Sequence, residues 1–514
     1  MSEKHWGALA LALVLAGCGS SDGSPPPVIV DPPPPQAAGP AWLNHGRDAQ
    51  HSARGGNVAA QSLSRMVWRT DVDLAPVRST DSLDTGHYGS PVITGKNTVL
   101  LPVRTTVAGT YRIEARDGGT GALRWQADTD FVPVQNNYSY SIAATPSGRI
   151  YYPGIGAKLY YRDNIDATPG AVQTVMYYGA GKYAADKAAI DAGAVINTPV
   201  TTDEQGNAFF GVFIRPSGAA GLAGALVRVD AAGTATSVTV AAAAGDNRVS
   251  RVAHSAAPAL SLDGKTVYIV VTSVATNQDS TSYLVALDSS TLAVRGKIQL
   301  MDPETGKPAN LSSFSTASPM VGPDGDVYFG VLNGRGSVRG ASTGWLLHYD
   351  AALSAAKTPG AFGWDYTPTS VPAAAVGGYT GQSPYLLVAK YNSYNDGQHR
   401  MAVLDPHGTQ PDKGVPRINV MKEVITILGV TRVEPQDPYL HEWCINTGAF
   451  DPNTKSVFVN NSDGYLYRWD LSNNTLAERF NLNSGYFQSY TPTALGPDGK
   501  VYAINNAMLT AVGK

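Results

Sequence analysis

A chain of 514 residues with only 15% charged residues and a formal net charge of −3 lacks the basic surface that nucleic-acid binding requires. The same balance shows no basic face for an anionic membrane surface and no acidic tail. Its 54 glycines, 34 prolines and 26 tyrosines favour many turns that join tyrosine-rich strands, so an all-β fold is expected. The length alone suggests several domains, but repeated and closed β folds reach this size as one domain.

The first 18 residues predict an export signal rather than part of the folded body. Lys4 precedes an apolar stretch over 7–15, which is too short to span a bilayer as a helix. The sequence LAGC (15–18) resembles the lipobox of bacterial lipoproteins. That resemblance implies cleavage before Cys18, lipidation of Cys18 and, because Gly19 rather than Asp follows, transfer to the outer membrane. The alternative is an ordinary signal peptide with an incidental cysteine.

Residues 19–40 predict a disordered tether, because a segment rich in Pro and Ser cannot bury a core. In polyproline II conformation such a tether extends by roughly 3.1 Å per residue, enough to hold the body tens of ångströms from a bilayer. Cys444 is the single other cysteine, so with Cys18 lipidated no intramolecular disulfide is expected.

A turn followed by a strand with an aromatic residue recurs along the rest of the chain. The glycine of the turn supplies a positive φ, and the alternation after it is typical of a half-buried strand. The copies are PSGRIYYP (146–153), EQGNAFFG (204–211), LDGKTVYIV (262–270), PDGDVYFG (323–330), NTKSVFVN (453–460), PDGKVYAI (497–504) and, more weakly, TGKNTVLLP (94–102).

A second recurring unit is a strand, an aspartate, a turn and another strand. The aspartates of the seven copies are Asp117, Asp163, Asp230, Asp288, Asp350, Asp405 and Asp470. We interpret this aspartate as a turn former whose carboxylate accepts bonds from main-chain N–H groups, rather than as a metal ligand or catalytic group.

A third unit opens each repeat with a short strand that often contains proline. The copies are GSPVIT (89–94), AATPSG (143–148), NTPVTT (197–202), SAAPAL (255–260), TASPMV (316–321), YTPTAL (490–495) and, less closely, NTGAFD (446–451); the sixth opener is expected within 371–385. Four antiparallel strands in this order form one blade of a β-propeller. The last repeat stops after three strands, and residues 64–74 resemble an unattached closing strand, so the two chain ends are predicted to complete an eighth blade.

These signatures resemble the quinoprotein-like, or PQQ-like, propeller superfamily. The best copy of its A-x-D-x-x-T-G-x-x-x-W element spans 115–125, and the lead-in at 42–52 is similar to that of such proteins. The resemblance covers 41–514 and implies one all-β domain, an eight-bladed propeller of four-stranded antiparallel blades. The superfamily includes quinone-dependent alcohol and sugar dehydrogenases. It also includes lipoproteins without chemistry, such as the propeller subunit of the outer-membrane β-barrel assembly machinery.

The resemblance does not extend to the cofactor signatures of the alcohol dehydrogenases. Those enzymes hold their quinone beneath a disulfide between adjacent cysteines, and some add a Cys-x-x-Cys-His haem site. This chain has only Cys18 and Cys444, so no cofactor is predicted. Sugar dehydrogenases can lack the disulfide, so PQQ with Ca²⁺ stays open as an alternative.

Candidate site residues cluster at two places. His441, Glu442 and Asn446 come where a blade's inner strand begins and could face a ligand in the central channel. Alternatively, Trp443 packs between blades while the polar groups cap strand ends. The second cluster, 390–397, contains Lys390, which is a further candidate to face a ligand in the channel. It also contains three oxygen-bearing side chains suited to Ca²⁺, or else forms an ordinary hairpin turn. Those three side chains are Asn392, Asn395 and Asp396.

No catalytic residue is predicted, since Cys444 has the pattern of an inert buried thiol and the histidines show no metal-ligand spacing. The expected function is that of a non-enzymatic scaffold or binding module, a monomeric body anchored through Cys18 to the outer membrane, facing the periplasm or the exterior. Its expected partner is a cell-envelope protein docking on loops at 333–344 and 410–437. The alternatives are a quinone- or Ca²⁺-dependent oxidoreductase of an alcohol or sugar, and a lyase or hydrolase that uses the channel.

Overall fold

The computed structural model describes residues 41–79, 82–83, 87–133, 140–273, 280–311, 315–338, 343–392, 398–432, 440–483 and 490–514. Within them, small antiparallel sheets follow one another along the chain as the blades of an eight-bladed β-propeller, which confirms the predicted fold. The signal, the tether and Cys18 lie outside the described residues, so the lipid anchor and the boundaries at 18 and 40 stay predictions. No helix in the described part of the chain is long and apolar enough to cross a membrane.

Each blade is built from the axis outwards in chain order. The inner strands of blades 1 to 8 are Val92–Ile93, Ala143–Ala144, Thr201–Thr202, Ala259–Leu260, Met320–Val321, Thr369–Pro372, Ala449–Asp451 and Ala494–Leu495. The second strands are Thr98–Arg104, Ile150–Pro153, Ala208–Ile214, Thr266–Ser273, Val327–Val331, Tyr385–Tyr391, Ser456–Asn460 and Val501–Asn505.

The outer half of each blade continues the same order. The third strands are Tyr111–Asp117, Leu159–Arg162, Ala225–Val229, Ser282–Asp288, Trp345–Tyr349, Arg400–Pro411, Tyr465–Asp470 and Met508–Gly513. The outermost strands, which blade 5 lacks, are Leu123–Thr129, Gln173–Val175, Ala235–Thr239, Val294–Gln299, Asn419–Leu428, Thr475–Asn481 and Arg65–Asp71. Additional elements are the strands Ala194–Ile196 and Val249–Val252, the hairpin Arg78–Ser79 with Ser82–Leu83, the α-helices Ala180–Gly193 and Val240–Ala244, and the 3-10 turns Ile155–Ala157 and Ala373–Ala375.

Burial falls from the axis to the rim because each blade packs its faces against two neighbours. Every residue of the second strand Thr98–Arg104 is buried, whereas the outermost strand Leu123–Thr129 is mostly exposed. Hydrophobic clusters therefore form between blades; one joins Val371 and Val403 of blade 6 to Val457 and Trp469 of blade 7.

The ring closes as predicted. Arg65–Asp71 pairs antiparallel with Met508–Gly513, from Arg65 opposite Gly513 to Asp71 opposite Met508, and completes blade 8. Two details differ from expectation. The inner strand of blade 6 begins at Thr369, before the predicted window of 371–385. Much of 410–437 is not a loop, because it holds the end of Arg400–Pro411 and all of Asn419–Leu428, which pair as one long hairpin.

The recurring aspartate forms turns, as interpreted. Asp117 Oδ1 accepts from the N–H groups of Gly119 and Thr120, both at 2.9 Å, and Asp288 makes the equivalent pair of bonds. Asp163 differs, since its carboxylate pairs with the Arg149 guanidinium at 2.7 Å.

The recurring aromatic of the second strand connects neighbouring blades. The hydroxyl of Tyr151 donates to the carbonyl of Gly206 in the next blade at 2.9 Å, and Tyr268 reaches the carbonyl of Ala351 at 2.7 Å. Tyrosine supplies a ring for the apolar seam and a hydroxyl long enough to reach across it, which explains its abundance in the repeat.

Candidate functional site

The lead-in segment, residues 41–61, runs around one end of the central channel and bonds to every blade in order. It meets the inner strands of blades 1 to 5 at their last residue, those of blades 6 and 7 at their second residue, and blade 8 in the turn that follows its inner strand. The main-chain or Asn44 side-chain contacts, from blade 1 to blade 8, are Trp42 with Ile93, Leu43 with Ala144, Asn44 with Thr202, Ala49 with Leu260, Gln50 with Val321, Ser52 with Ser370, Ala53 with Phe450 and Gln61 with Gly499. The segment therefore covers this end of the channel.

Two histidines of the lead-in segment are buried at this covered end. The rings of His45 and His51 lie edge to face with centroids 5.7 Å apart, and His51 Nδ1 contacts the carbonyl of Pro319 at 2.6 Å. Burial, with a smaller contribution from His51, lowers the pKa of His45 from 6.5 to about 3. Burial also lowers the pKa of His51. Both imidazoles are thus neutral at physiological pH.

The opposite end of the channel, where the inner strands begin, carries a polar and aromatic cluster that we call the mouth cluster. Its members come from blades 5, 6, 7, 8 and 1, and most precede an inner strand. They are Thr316, Phe362, Asp365, Lys390, Glu442, Cys444, Asn446, Tyr490 and His87.

Lys390 is the cation of the mouth cluster and is 2% exposed. Its Nζ donates to the main-chain carbonyl of Asp365 at 3.2 Å, and lies 5.9 Å from the ring centroids of both Phe362 and Tyr490. An ammonium has three N–H donors. Among the described residues, the Asp365 carbonyl is the one hydrogen-bond acceptor that Lys390 has, so these residues leave most of its donor capacity unused.

The neighbours of Lys390 are held by bonds between blades. Asp365 has a left-handed φ of 56°, and its Oδ1 accepts from the N–H of Thr316 at 2.6 Å and from its hydroxyl at 2.7 Å. Asn446, 1% exposed, donates from Nδ2 to the carbonyl of Thr316 at 3.2 Å. Blades 5, 6 and 7 thereby present a rigid wall beside Lys390.

The other side of the mouth cluster is aromatic and acidic. Tyr490 meets His87 edge to face at 5.0 Å, and the Cys444 thiol donates to Glu442 Oε1 at 3.0 Å. Burial raises the pKa of Tyr490, and the nearby Cys444 and Asp365 raise it further, so its phenol stays protonated. Cys444 is buried and a hydrogen-bond donor to a carboxylate, which is not the electropositive setting of a reactive cysteine.

The residues predicted as ligands divide between two settings. Lys390, Glu442 and Asn446 come together at the mouth, whereas His441 is half-buried with its N–H bonded to the carbonyl of Thr431. Trp443 packs against Tyr467 at 5.3 Å within the cluster between blades 6 and 7. The roles of these residues as ligands stay predictions.

Of the three predicted Ca²⁺ ligands, Asn392 is the one within the described residues. Asn392 brackets the main chain of Trp443, donating to its carbonyl at 3.0 Å and accepting from its N–H at 2.9 Å. Asn395 and Asp396 lie outside the described residues.

Sequence reasoning missed Thr316, Phe362, Asp365, Tyr490 and His87. A positional signal was available, because Thr316, Tyr490 and His87 each precede the proline of an opener by two to four residues. Residues just before that proline lie at the end of the channel where the inner strands begin.

A calcium-bound quinone, which the fold family implies, does not fit the described residues of the mouth. The carboxylates there are those of Asp365 and Glu442, and Asp365 Oδ1 already accepts two bonds from Thr316. No group of three histidine, cysteine or carboxylate ligand atoms converges at the mouth within the described ranges; the cluster of that kind lies elsewhere, at Asp324, Asp326 and His407.

Fold and channel together define the class: an eight-bladed β-propeller, covered at one end and polar at the other. The fold is similar to that of a europium-containing methanol dehydrogenase, with a TM-score of 0.56 and 12% identity over 90% of this chain and 89% of that one. It is also similar to a quinohemoprotein alcohol dehydrogenase from Comamonas testosteroni, with a TM-score of 0.52 and 12% identity over 92% and 77%.

BamB from Moraxella catarrhalis matches with a TM-score of 0.45 and 12% identity, over 85% of this chain and 99% of that one. No protein-family model matches the sequence, and no curated protein matches it. At these identities the likeness concerns the fold.

Proposed function

We propose that this protein is a non-enzymatic binding module of the bacterial envelope, anchored through Cys18, that binds an oxygen-bearing group of its partner at the mouth of the channel. Lys390 carries this proposal. A buried ammonium that has one acceptor among the described residues needs further oxygen atoms, because leaving N–H donors of a buried charge unpaired is costly.

The remaining mouth residues suit the same ligand. Phe362 and Tyr490 offer ring faces close to the ammonium, and the Glu442 carboxylate accepts from hydroxyl or amine donors. A group with both oxygen acceptors and polar hydrogens, such as a sugar or a peptide end, would satisfy Lys390 and Glu442 together.

Binding without chemistry is the simpler function for this arrangement. The Cys444 thiol donates to the Glu442 carboxylate, which lacks the positive charge that stabilises a thiolate, and the described mouth holds no set of three metal ligands. The lipobox and the proline-rich tether support a body that stays attached to a membrane while reaching a partner.

The test is capture of partners from cross-linked membranes by the full-length protein. Lys390→Met should reduce recovery of the partner at least tenfold, while Lys422→Met, which removes an exposed lysine from an outermost strand of the same blade, should leave it unchanged. Thermal melts of both variants separate loss of binding from loss of folding.

The anchor is tested in the same preparation. Cys18→Ser should move the protein from the membrane to the soluble fraction. Equal recovery with Lys390→Met and with wild type would overturn the mouth as the binding site. An absorbance change on titration with PQQ and Ca²⁺, lost in Lys390→Met, would instead establish the quinone alternative.

A further inference from the structure

A second cluster of polar side chains lies at the seam between blades 5 and 6, away from the mouth. Asp324 and Asp326 belong to the turn between the first two strands of blade 5, and His407 lies where the pairing register of the third strand of blade 6 shifts, between Asp405 and Thr409. One ligand atom from each of Asp324, Asp326 and His407 lies within 4.8 Å of the other two. Asp324 Oδ2 and His407 Nε2 are 3.1 Å apart.

The hydrogen bonds around His407 determine which of its ring nitrogens carries a proton. Ser383 donates its single hydroxyl hydrogen to Asp405 Oδ1, so its oxygen must accept from His407 Nδ1, which is 3.1 Å away. Asp405 also accepts from the Tyr379 hydroxyl and from the main-chain N–H groups of His407 and Gly408, so its carboxylate acts as an acceptor in every bond that it makes here. In the neutral imidazole, Nε2 therefore presents a lone pair.

That lone pair faces the carboxylate oxygen of Asp324. Two electron-rich atoms 3.1 Å apart attract each other only through a cation, which is either a proton on Nε2 or a metal ion bound by both. Two ligand atoms that each lie about 2.0–2.2 Å from the same metal ion are themselves about 3 Å apart. This holds when the ligand–metal–ligand angle is between a right angle and a tetrahedral angle.

We propose that Asp324, Asp326 and His407 bind a divalent transition-metal ion such as Zn²⁺. Imidazole with two carboxylates favours a transition metal over Ca²⁺, which takes oxygen ligands. The side chains of Asp324 and His407 are 28% and 39% exposed, so an ion can enter from solvent and keep water as a further ligand.

Neighbouring side chains orient all three ligands. Tyr385 donates its hydroxyl to Asp324 Oδ1 at 2.8 Å, His348 contacts Asp326 Oδ2 at 2.8 Å, and Ser383 fixes His407. Such supporting bonds hold ligands in place for a metal ion. One competitor is present: the Lys357 ammonium donates to both carboxylate oxygens of Asp326, at 2.7 Å and 2.5 Å, but its side chain is 40% exposed and can move into solvent.

The site would join two blades at a seam where one of them is irregular. Blade 5 has three regular strands, and residues 356–360 contact the third of them through isolated bridges instead of a regular outermost strand. A metal ion bound by Asp324 and Asp326 of blade 5 and by His407 of blade 6 would cross-link that seam.

The experiment is a calorimetric titration of the full-length protein, freed of metal with a chelator, with ZnCl₂. One equivalent should bind, and Asp324→Asn and His407→Gln should each weaken binding at least tenfold. Lys357→Met should tighten it, because the competing ammonium is gone. The matched control is Asp263→Asn, which occupies the same turn position in blade 4 and accepts the same main-chain bond, from Lys265.

Absorption spectra and melting temperatures distinguish a metal ion bound at His407 from a proton on its Nε2. Co²⁺ should give an absorption spectrum of a nitrogen- and oxygen-ligated ion with wild type and not with His407→Gln, and chelation should lower the melting temperature of wild type alone. Absence of stoichiometric Zn²⁺ binding, or equal binding by wild type and the two ligand variants, would overturn the proposal and leave an imidazolium as the cation. Far-UV circular dichroism shows that each variant is folded.

Discussion

The indole nitrogen of Trp68 donates a hydrogen bond to the main-chain carbonyl of Gly118 at 2.9 Å, across the joint where the propeller closes. Trp68 lies on the strand Arg65–Asp71, which completes blade 8, and Gly118 belongs to a turn of blade 1. The Tyr502 hydroxyl of blade 8 reaches the same carbonyl at 3.2 Å. The N-terminal strand thus holds blade 8 through its ladder and blade 1 through one side chain.

Trp68→Ala should destabilise the propeller by about 3–5 kcal/mol, as expected for removal of a buried aromatic that also leaves a cavity. The measurement is urea unfolding followed by tryptophan fluorescence and circular dichroism. Met66→Ala, an exposed change on the same strand, should stay within about 0.5 kcal/mol. Equal effects of the two changes would contradict a closing role for Trp68.

We expect the bonds of the lead-in segment to the inner strands to stabilise the folded propeller. Asn44 accepts from the N–H of Thr202 at 2.7 Å and donates to its carbonyl at 3.1 Å. Asn44→Ala should cost about 1–3 kcal/mol for each buried main-chain group left without a partner. It should also speed proteolysis within 41–61. Asn57→Ala, at an exposed position of the same segment, is the control, and matching proteolysis rates would count against the covering role of the segment.

The blades could be predicted from the sequence and their polar contacts could not, for a physical reason. A glycine turn, an alternating strand and a capping aspartate such as Asp288 are local features, so each repeat shows them in a short stretch of sequence. Asp324 and His407 are 83 residues apart, and contacts like theirs depend on how neighbouring blades face each other. The circuit of the lead-in segment uses mostly main-chain groups, which leave no residue signature.

Buried histidines predict loss of stability in mild acid. Burial lowers the pKa of His45 and of His254 from 6.5 to about 3, and that of His51 in the same direction. Below pH 6.5 the unfolded chain binds protons that the folded chain does not, so stability is full above pH 6.5 and falls as pH drops towards the folded pKa. Each histidine adds a slope of up to about 1.4 kcal/mol per pH unit.

Urea midpoints at pH 7, 6 and 5 measure this slope. His45→Gln should flatten it by removing one of the titrating groups, whatever its effect on stability at pH 7. A midpoint that does not change between pH 7 and pH 5 in wild type would mean that these imidazoles accept protons in the folded protein.

A buried ion pair near the joint gives the last prediction. Asp73 Oδ2 lies 3.4 Å from Arg104 Nη1, with side-chain exposures of 0% and 1%, and accepts from the Tyr88 hydroxyl at 3.0 Å. Arg104 also donates to the carbonyls of Thr106 and Val107, so its guanidinium cannot leave without breaking further bonds. Asp73→Asn should therefore cost about 3–5 kcal/mol, because an uncompensated buried charge remains.

A double-variant cycle separates the charge from the packing. Arg104→Met combined with Asp73→Asn should be more stable than Asp73→Asn alone. The double variant no longer contains an unpaired buried guanidinium, and the methionine side chain fills much of its space. Asp71→Asn, exposed two residues earlier, serves as the control and should change little. Additive losses in the cycle would show that Asp73 contributes through its bond to Tyr88 rather than by balancing the charge of Arg104.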